Sequence, residues 1–383
     1  MCNYNPEWLH KMLVKGDCLA MNKYLTYEEF LNLKDDDVFT IIRSKKEALA
    51  DKLLILGHHY QRDEIIQFAD IVGDSYGLSR QAASTSKPFI VFCGVHFMAE
   101  SADILTSDEQ VVILPDLQAG CSMALMAHIN DVRRVWQDIG SIIGNQKIIP
   151  ITYVNSDAKL KAFVGQAGGT VCTSSNAKKI LQWALQRCDK VFFLPDQHLG
   201  RNTAYFDMNI PLDEIVLWNR NEKHGGLSLH QIMKSRIILW DGYCSVHQNF
   251  LPEHISLARK HYHDIKVIVH SECSMEVVQK SDVHGSTSTI IKEIESSKPG
   301  SKFAVGTEQH LVFRLKKKYP DREIIFLAPY VCNCSTMYRI DPPHLAYVLD
   351  RLSRGEIINR IEVPREIKKD SRQALDLMLE ISC

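Results

Sequence analysis

The sequence predicts an α/β fold with three similar αβα sandwich units. Continuous apolar runs of about four to six residues alternate with stretches of helical periodicity, which is typical of buried parallel strands joined by helices. The same succession of runs occurs three times, and each time it ends at a cysteine. The segments Gly94–Cys121 and Gly306–Cys334 are also nearly equal in length. Because a single doubly wound sheet alternates in the same way, the threefold interpretation depends on polar residues at matching points.

The units follow one another along the chain between two helical segments. The predicted boundaries are 1–50 for a helical N-terminal extension, 51–125, 126–250 and 251–340 for the three α/β repeats, and 341–383 for C-terminal helices that pack back on the core. The extension contains T-Y-E-E at Thr26, which is the pattern of a capping box. The polar stretch NRNEKHGGLS, near 219–228, predicts an inserted loop in the second repeat.

Composition excludes several classes of protein. Hydrophobic residues make up 45% and charged residues 24% of the chain, as in globular proteins, and the formal net charge is −1. We therefore expect no nucleic acid and no membrane among the partners. The start, MCNYNPEWLHKML, lacks the order of a signal peptide. The eleven cysteines are then expected to be reduced thiols in the cytoplasm rather than disulfides.

Each repeat places a polar pair at the end of its first strand. The pairs are His58 with Tyr60, Tyr153 with Asn155, and His270 with Glu272. Side chains two positions apart in an extended chain point to the same side, and ligands bind beyond the carboxyl ends of parallel strands. Three pairs in the same register therefore predict one shared central site.

A helix start rich in small residues is the second matching point. The hydroxyl residues there are Ser75 in GDSYGLSR, Ser174 in VCTSSNA, and Ser286 with Thr287 in HGSTSTI. The free N–H groups of a helix N-terminus bind phosphate or carboxylate, and a hydroxyl adds a donor. Ordinary capping explains one such serine, but three of them beside polar pairs favour an anion site.

The cysteines that close the repeats are the third matching point. They are Cys121, Cys244 and Cys334. Three thiolates that converge where strands end can hold three irons of a 4Fe–4S cluster and leave the fourth iron open as a Lewis acid. Zinc is the competing metal, because three cysteines and a histidine make a common zinc set, and ligand types alone do not decide.

Seven motifs, found in order between about residues 50 and 355, resemble those of quinolinate synthase. They are HHYQ with GDSYGLSR, LQAGCSMA, YVNSDAK, CTSSNA, WDGYCSVHQ, HSEC with GSTS, and CNCSTM. The resemblance implies three pseudo-symmetric Rossmann-like αβα sandwich domains around a central cavity that holds a 4Fe–4S cluster with one open iron. It also implies a condensing and dehydrating transferase of de novo NAD biosynthesis. Iminoaspartate and dihydroxyacetone phosphate would give quinolinate, phosphate and two waters, with a functional link to L-aspartate oxidase.

The resemblance also implies a role for each matching residue. The cluster ligands would be Cys121, Cys244 and Cys334. The substrate-binding positions would be His58, Ser75, Tyr153, Asn155, Ser174, His270, Glu272, Ser286 and Thr287. Tyr60, His270 and Glu272 are the expected proton carriers, because burial can tune histidine and glutamate towards neutral pKa values.

The sequence departs from the family pattern at three points. H-H-Y replaces the usual H-N-Y at His59, and H-S-E replaces H-P-E at Ser271. Cys332 is an extra cysteine beside Cys334. Cys334 is the preferred ligand because Met337 follows it at the family's C-x-x-M spacing, and Cys332 is the reserve.

Other functions share part of this pattern. A 4Fe–4S hydro-lyase of a hydroxy acid would use the same open iron, but it does not explain the three hydroxyl-bearing helix starts. An iron–sulfur sensor or electron carrier usually has four protein ligands, and a structural zinc protein would be expected to show knuckle spacing. His247, in C-S-V-H, is either a partner behind the cysteine or a structural histidine.

Overall fold

The computed structural model describes residues 24–330 and 333–382, and it contains three separate sheets. The first sheet consists of β1 (Leu53–His58), β2 (Ile71–Gly73), β3 (Phe89–Cys93), β4 (Val111–Ile113) and β14 (Arg360–Ile361). The second consists of β5 (Ile148–Tyr153), β6 (Thr170–Cys172), β7 (Lys190–Leu194), β8 (Ile215–Trp218) and β9 (Ile237–Trp240). The third consists of β10 (Lys266–His270), β11 (Val283–Gly285), β12 (Lys302–Gly306) and β13 (Glu323–Phe326).

Helices connect the strands and flank the sheets. In chain order they are α1 (Tyr27–Leu31), α2 (Asp35–Leu49), α3 (Asp63–Ile66), α4 (Ser75–Ser84), α5 (His96–Leu105), α6 (Ser122–Met126), α7 (Ile129–Ile143), α8 (Ala158–Gln166), α9 (Ala177–Leu185), α10 (Gln197–Asn202), α11 (Leu229–Lys234), α12 (Pro252–His261), α13 (Met275–Lys280), α14 (Thr287–Glu295), α15 (Gln309–Lys318), α16 (Pro342–Ser353) and α17 (Arg365–Ser382). The predicted α/β class is therefore confirmed. Among the described residues, no helix is both long and apolar enough to cross a membrane.

The three sheets share one strand order. The orders are β2-β1-β3-β4, β6-β5-β7-β9 and β11-β10-β12-β13, and these strands are all parallel. The first strand of each sheet lies inside the sheet and is almost wholly buried, which explains its continuous apolar sequence. Its last residue pairs in each sheet with the last residue of the second strand. The three polar pairs therefore leave their sheets in the same register.

Two edge strands depart from this common order. Strand β14 comes from the C-terminal segment and pairs antiparallel with β4. Strand β8 lies beyond β9 and precedes the polar stretch near 219–228, which joins β8 to α11. Gly225 lies in this connection at φ 68°, and its backbone packs so closely on the ring of Trp218 that a side chain would overlap it.

The N-terminal helices pack on α16, and the last helix packs on the second repeat. Thr26 caps α1 with the predicted capping box. Helix α2 packs on α16, where Lys45 lies 3.0 Å from Asp350. Helix α17 packs on α8 and β6 of the second repeat, and Thr170 Oγ1 donates to the carbonyl of Ala374 at 2.8 Å. The C-terminal segment thus contacts both the first and the second sheet.

Close packing of α17 on α8 depends on Gly165. A Cβ at this position would overlap the backbone carbonyl of Asp370, whereas one at Gly140 in α7 would meet only the exposed side chain of Asn145. We expect Gly165→Ala to lower the free energy of unfolding by about 1–3 kcal/mol through overpacking. Gly140→Ala should leave it unchanged or raise it by up to about 1 kcal/mol through helix propensity. Urea unfolding measures both, and equal effects would contradict the packing argument.

Candidate active site

One cavity lies where the carboxyl ends of the three sheets meet. It encloses about 660 Å³ of space free of protein atoms, part of which opens to solvent. Every residue predicted for the site lines this cavity except Ser286. Each repeat contributes the end of its first strand, a helix start and a cysteine, so the site is shared by all three sheets.

Two buried histidines end the first strands of the first and third sheets. The ring Nδ1 of His58 accepts the N–H of Tyr60 at 3.1 Å. His270 accepts the N–H of Glu272 in the same way, at 3.3 Å. When Nδ1 of a neutral imidazole ring accepts a hydrogen bond, the ring proton lies on Nε2. Burial lowers the pKa of His58 and of His270 to about 3, so both rings are neutral donors at pH 7.

Glu272 is the centre of a buried hydrogen-bond network. Its Oε1 accepts the hydroxyl of Tyr153 at 2.6 Å, and its Oε2 lies 3.0 Å from Nδ1 of His247. Burial acts to raise the pKa of Glu272, but the adjacent His270 and His247 and the two hydrogen bonds outweigh it and hold that pKa below the ordinary value. The group is a buried carboxylate at neutral pH. The expected shift of glutamate and histidine towards neutral pKa values is therefore not what this geometry produces.

The network continues from Glu272 to Tyr60. Nε2 of His247 lies 3.3 Å from Oγ1 of Thr307, and the Tyr60 hydroxyl lies 2.7 Å from the same Oγ1. Because a carboxylate only accepts, the neutral tautomer of His247 that fits this contact donates from Nδ1 and accepts at Nε2, which makes Thr307 its donor and Tyr60 the donor to Thr307. Burial and the charge of Glu272 raise the pKa of Tyr60 well above its ordinary value. A continuous chain of hydrogen bonds thus joins a protonated phenol to a carboxylate.

The hydroxyl-bearing helix starts point to a ligand. Ser75 and Thr287 are the first residues of α4 and α14, and Ser174 lies in the turn before α9. Among the described residues, Oγ1 of Thr287 and Oδ1 of Asn155 have no hydrogen-bond partner although both atoms are buried. An unsatisfied buried polar atom costs about 1–3 kcal/mol, so a bound polar ligand would relieve a cost that the protein carries alone.

Asp74 ties the three helix starts together. Its Oδ1 caps α4 by accepting the N–H of Gly77 at 2.7 Å. Its Oδ2 accepts the hydroxyls of Ser175 and Ser288 at 2.9 and 2.6 Å. Burial acts to raise the pKa of Asp74, but these hydrogen bonds lower it below its ordinary value. One carboxylate from the first repeat therefore holds the hydroxyl turns of the other two in place.

The three cysteines precede helical turns of the same geometry. Each cysteine carbonyl accepts the N–H four residues on, from Leu125 at 3.3 Å, Gln248 at 3.0 Å and Tyr338 at 2.9 Å. Each thiol also interacts with the N–H three residues on, from Ala124, His247 and Met337. Such N–H groups stabilise a thiolate, as a metal ligand requires. Cys334 therefore has the same setting as Cys121 and Cys244, while the reserve candidate Cys332 lies outside the described residues.

These cysteines fit an iron–sulfur cofactor. Cys121, Cys244 and Cys334 are free thiols that line one cavity. Burial raises the pKa of all three, that of Cys121 to about 12, and the proximity of Cys334 raises the pKa of the other two further. Buried thiols that oppose one another's ionisation need a cation to become thiolates, and a metal cluster supplies it.

A second donor set overlaps this one. Sγ of Cys244, a ring nitrogen of His247 and a carboxylate oxygen of Glu272 lie within 4.8 Å of one another and could hold a single metal ion. A metal bound through Nδ1 of His247 would replace the hydrogen bond between this nitrogen and Glu272. The equivalent setting of the three cysteines has no such cost, so the geometry favours the cysteine set.

Several residues in and behind the site were not predicted from the sequence. Asp74 and Thr307 were missed, although Asp74 directly precedes a predicted helix start and Thr307 directly follows a strand end. His247 was left open, and the structure places it between Glu272 and Thr307. Ser286 does not line the cavity, because it caps α14 and its hydroxyl accepts the N–H of Thr289 at 3.2 Å.

Fold and site together define an α/β protein whose parallel sheets end at a shared, cysteine-lined pocket compatible with an iron–sulfur cofactor. The family profile described as "Quinolinate synthetase A protein" matches residues 40–380. The chain therefore belongs to the quinolinate synthetase A family.

Curated relatives agree over nearly the whole length. The quinolinate synthase of Acidobacterium capsulatum is 51% identical over 357 residues, which cover 92% of this chain and 95% of the relative. That of Geobacillus sp. (strain WCH70) is 52% identical over 360 residues, or 93% and 96% of the two chains. That of Corynebacterium glutamicum is 50% identical over 355 residues, or 92% and 90%.

The buried neutral state of His58 makes stability depend on pH. The folded pKa is about 3, below the ordinary 6.5, so the unfolded chain binds a proton that the folded chain rejects. This contribution is fully present above pH 6.5 and is lost as pH falls towards 3. We expect His58→Asn, which keeps an acceptor for the N–H of Tyr60, to lose less stability between pH 7 and pH 5 than the unchanged protein. Urea unfolding without added iron measures the two slopes, and equal slopes would contradict the assignment.

Proposed function

We propose that the protein is a quinolinate synthase, which condenses iminoaspartate with dihydroxyacetone phosphate to quinolinate and releases phosphate and two waters. The observation that carries the proposal is the single cavity in which the three equivalent cysteines and the three polar strand ends meet. The relatives carry the name of this enzyme over more than nine-tenths of the chain. The product would enter de novo NAD biosynthesis.

Substrate binding would use neutral donors rather than cations. Of the described residues that line the cavity, none is lysine or arginine. Both substrates are anionic, and the helix starts at Ser75, Ser174 and Thr287 offer N–H groups and hydroxyls to phosphate or carboxylate. The Nε2–H groups of His58 and His270 and the amide of Asn155 add further donors. Ser286 would act indirectly, by capping the helix that begins with Thr287.

Proton transfer would use the network centred on Glu272. Condensation requires removal of protons from carbon and delivery of protons to departing hydroxyl groups. Glu272, as a carboxylate, is the base of the site, and Tyr60, as a protonated phenol, is a donor. As oriented, the chain runs from Tyr60 through Thr307 and His247 to Glu272. A change of the His247 tautomer, with reversal of each hydrogen bond, would let it return a proton from Glu272 to Tyr60 after Tyr60 has donated one. His270 stacks on His247, with ring centroids 4.5 Å apart, and would keep that ring oriented.

The cysteine set would hold the cofactor. Cys121, Cys244 and Cys334 would bind three irons of a 4Fe–4S cluster, and when bound the cluster would supply a Lewis acid for the hydroxyl that leaves as water. The N–H groups of Ala124 and Met337 would support the thiolates.

The domain boundaries and cellular context are proposed with the function. The repeats would be pseudo-equivalent domains over 51–125, 126–250 and 251–340, with an N-terminal extension over 1–50 and closing helices over 341–383. The free thiols of the cluster site would suit the reducing cytoplasm. Because iminoaspartate hydrolyses in water, an L-aspartate oxidase would supply it.

Reconstitution with iron and sulfide under anaerobic conditions tests the activity. We expect quinolinate from iminoaspartate and dihydroxyacetone phosphate, and none from Cys121→Ala, Cys244→Ala or Cys334→Ala. Cys93→Ala, at a buried cysteine in β3 outside the cavity, is the control and should retain activity and iron content. Iron analysis and electron paramagnetic resonance report the cluster independently of turnover.

The outcomes separate the alternatives. A bound cluster without quinolinate would replace the proposal with a hydro-lyase or a sensor. Zinc bound in preference to iron, and lost with His247→Ala, would favour the set of Cys244, His247 and Glu272. Loss of the cluster in Cys332→Ala but not in Cys334→Ala would reverse the choice between these two cysteines.

Substitution of Glu272 tests the proton network. We expect Glu272→Gln to lower kcat by about 10²-fold or more, because positioned acid–base groups contribute about 10²–10⁴-fold. Glu293→Gln, at a half-exposed glutamate of α14 in the same repeat, is the matched control and should stay within about twofold of the unchanged protein. Equal rates for both variants would remove Glu272 from the mechanism.

A further inference from the structure

The turns that carry the proposed proton carriers leave backbone carbonyls that their own sheets do not bind. Tyr60 lies between the carbonyls of His59 and Gln61, and Glu272 lies between those of Ser271 and Cys273. A buried carbonyl needs a donor, and in both turns the donor comes from another repeat.

Arg314 holds the turn of the first repeat. It lies on α15 of the third repeat and donates from Nη1 to the carbonyl of His59 at 2.9 Å. Its Nη2 donates to the carbonyl of Gln61, and its Nε to Asp63 at 2.8 Å. The planar guanidinium therefore donates hydrogen bonds to both carbonyls that flank Tyr60. Lysine does not reproduce this geometry.

Asn202 holds the turn of the third repeat in the same way. It lies at the end of α10 in the second repeat and is fully buried. Its Nδ2 donates to the carbonyl of Ser271 at 2.9 Å and to that of Cys273 at 2.8 Å. The two carbonyls are the equivalents of those that Arg314 binds, one and three residues past the end of the first strand.

The second repeat is held by a variation of this arrangement. Glu100, on α5 of the first repeat, accepts the N–H of Ala158 at 3.1 Å. Buried Lys161 donates to the carbonyl of Ser156, the residue after Asn155. Helices α5, α10 and α15 are equivalent, because each follows the third strand of its own sheet. Each of them reaches the turn of a different repeat.

We propose that Arg314 and Asn202 are positioning residues that act across repeat boundaries, Arg314 on Tyr60 and Asn202 on Glu272. The interactions close a ring: the third repeat holds the turn of the first, the first holds that of the second, and the second holds that of the third. Tyr60 and Glu272 are thereby each oriented by a residue from another repeat. The catalytic part of this inference rests on the proposed function, and the structural part does not.

The chain offers a matched control for Arg314. Arg322 is also half-buried and donates to the carbonyls of Glu295 and Ser297 at 3.3 and 2.8 Å, with Asp321 as its carboxylate partner at 2.9 Å. It caps the end of α14, away from the cavity. Arg→Lys at either position keeps the charge and removes the fork, so the two variants differ chiefly in which turn loosens.

The experiment compares Arg314→Lys with Arg322→Lys in the reconstituted protein. We expect Arg314→Lys to lower kcat for quinolinate formation about tenfold, with KM for both substrates within about threefold, because a small displacement of a reacting group is costly. Arg322→Lys should stay within about twofold in kcat. Hydrogen exchange should rise in the peptide covering 59–64 in Arg314→Lys only. Asn202→Ala should likewise raise exchange over 271–274 and lower kcat.

The two readouts separate the inference from the proposed function. Equal kcat and equal exchange at 59–64 in the two lysine variants would overturn the inference while wild-type turnover upheld the function. If the wild type makes no quinolinate, the proposed function fails. Hydrogen exchange alone then decides whether Arg314 holds the turn of the first repeat. A rise in hydrogen exchange that is confined to residues 59–64 in Arg314→Lys supports the positioning role. An unchanged exchange rate at these residues overturns it. If Asn202→Ala does not fold, the arginine pair still gives the answer.

Discussion

The carboxyl ends of three parallel sheets open into one cavity, and this constraint governs the rest of the structure. Polar groups gathered there are shielded from bulk water, so each must find a partner within the protein or in a ligand. Because each repeat supplies only part of the lining, several of these partners come from a neighbouring repeat. Asp74 bonded to Ser175 and Ser288, and Glu272 bonded to Tyr153, are examples. The site therefore exists only when all three sheets are assembled.

The same burial limits which charged groups line the cavity. A buried cation without a partner would cost several kcal/mol, and the described lining avoids lysine and arginine. Histidines that accept a backbone N–H remain neutral and donate from Nε2, and helix starts supply partial positive charge without an ion. The carboxylates Asp74 and Glu272 stay ionised because several donors converge on each. Such a site would bind the proposed anionic substrates through the number and direction of its donors rather than through net positive charge.

Repetition gives the cysteines and the polar strand ends equivalent settings without making the repeats identical. The turns before Ala124, His247 and Met337 share one geometry, yet only the second of these residues has a side chain that joins the hydrogen-bond network of Glu272. The turns that follow the first strands also differ. In the first and third repeats they are held by Arg314 and Asn202, whereas the second repeat uses Glu100 and Lys161. A threefold scaffold thus supports an asymmetric site, as the proposed reaction between two different substrates would require.

The sequence by itself determined the α/β class, the three polar pairs, the helix starts and the cysteines that line the cavity. Each of these depends on local signals: apolar runs of strand length, periodicity, and polar residues directly after a strand. The tertiary structure alone decided that Asp74 bridges two other repeats, that Thr307 joins His247 to Tyr60, and that Ser286 caps a helix instead of facing the cavity. These pairings join residues far apart in the chain, and no local pattern records which distant donor will meet a given acceptor. The adjacent histidines and the hydrogen bonds to Glu272 also reversed the shift that burial alone would give its pKa, because the outcome depends on how many donors the fold brings to that carboxylate.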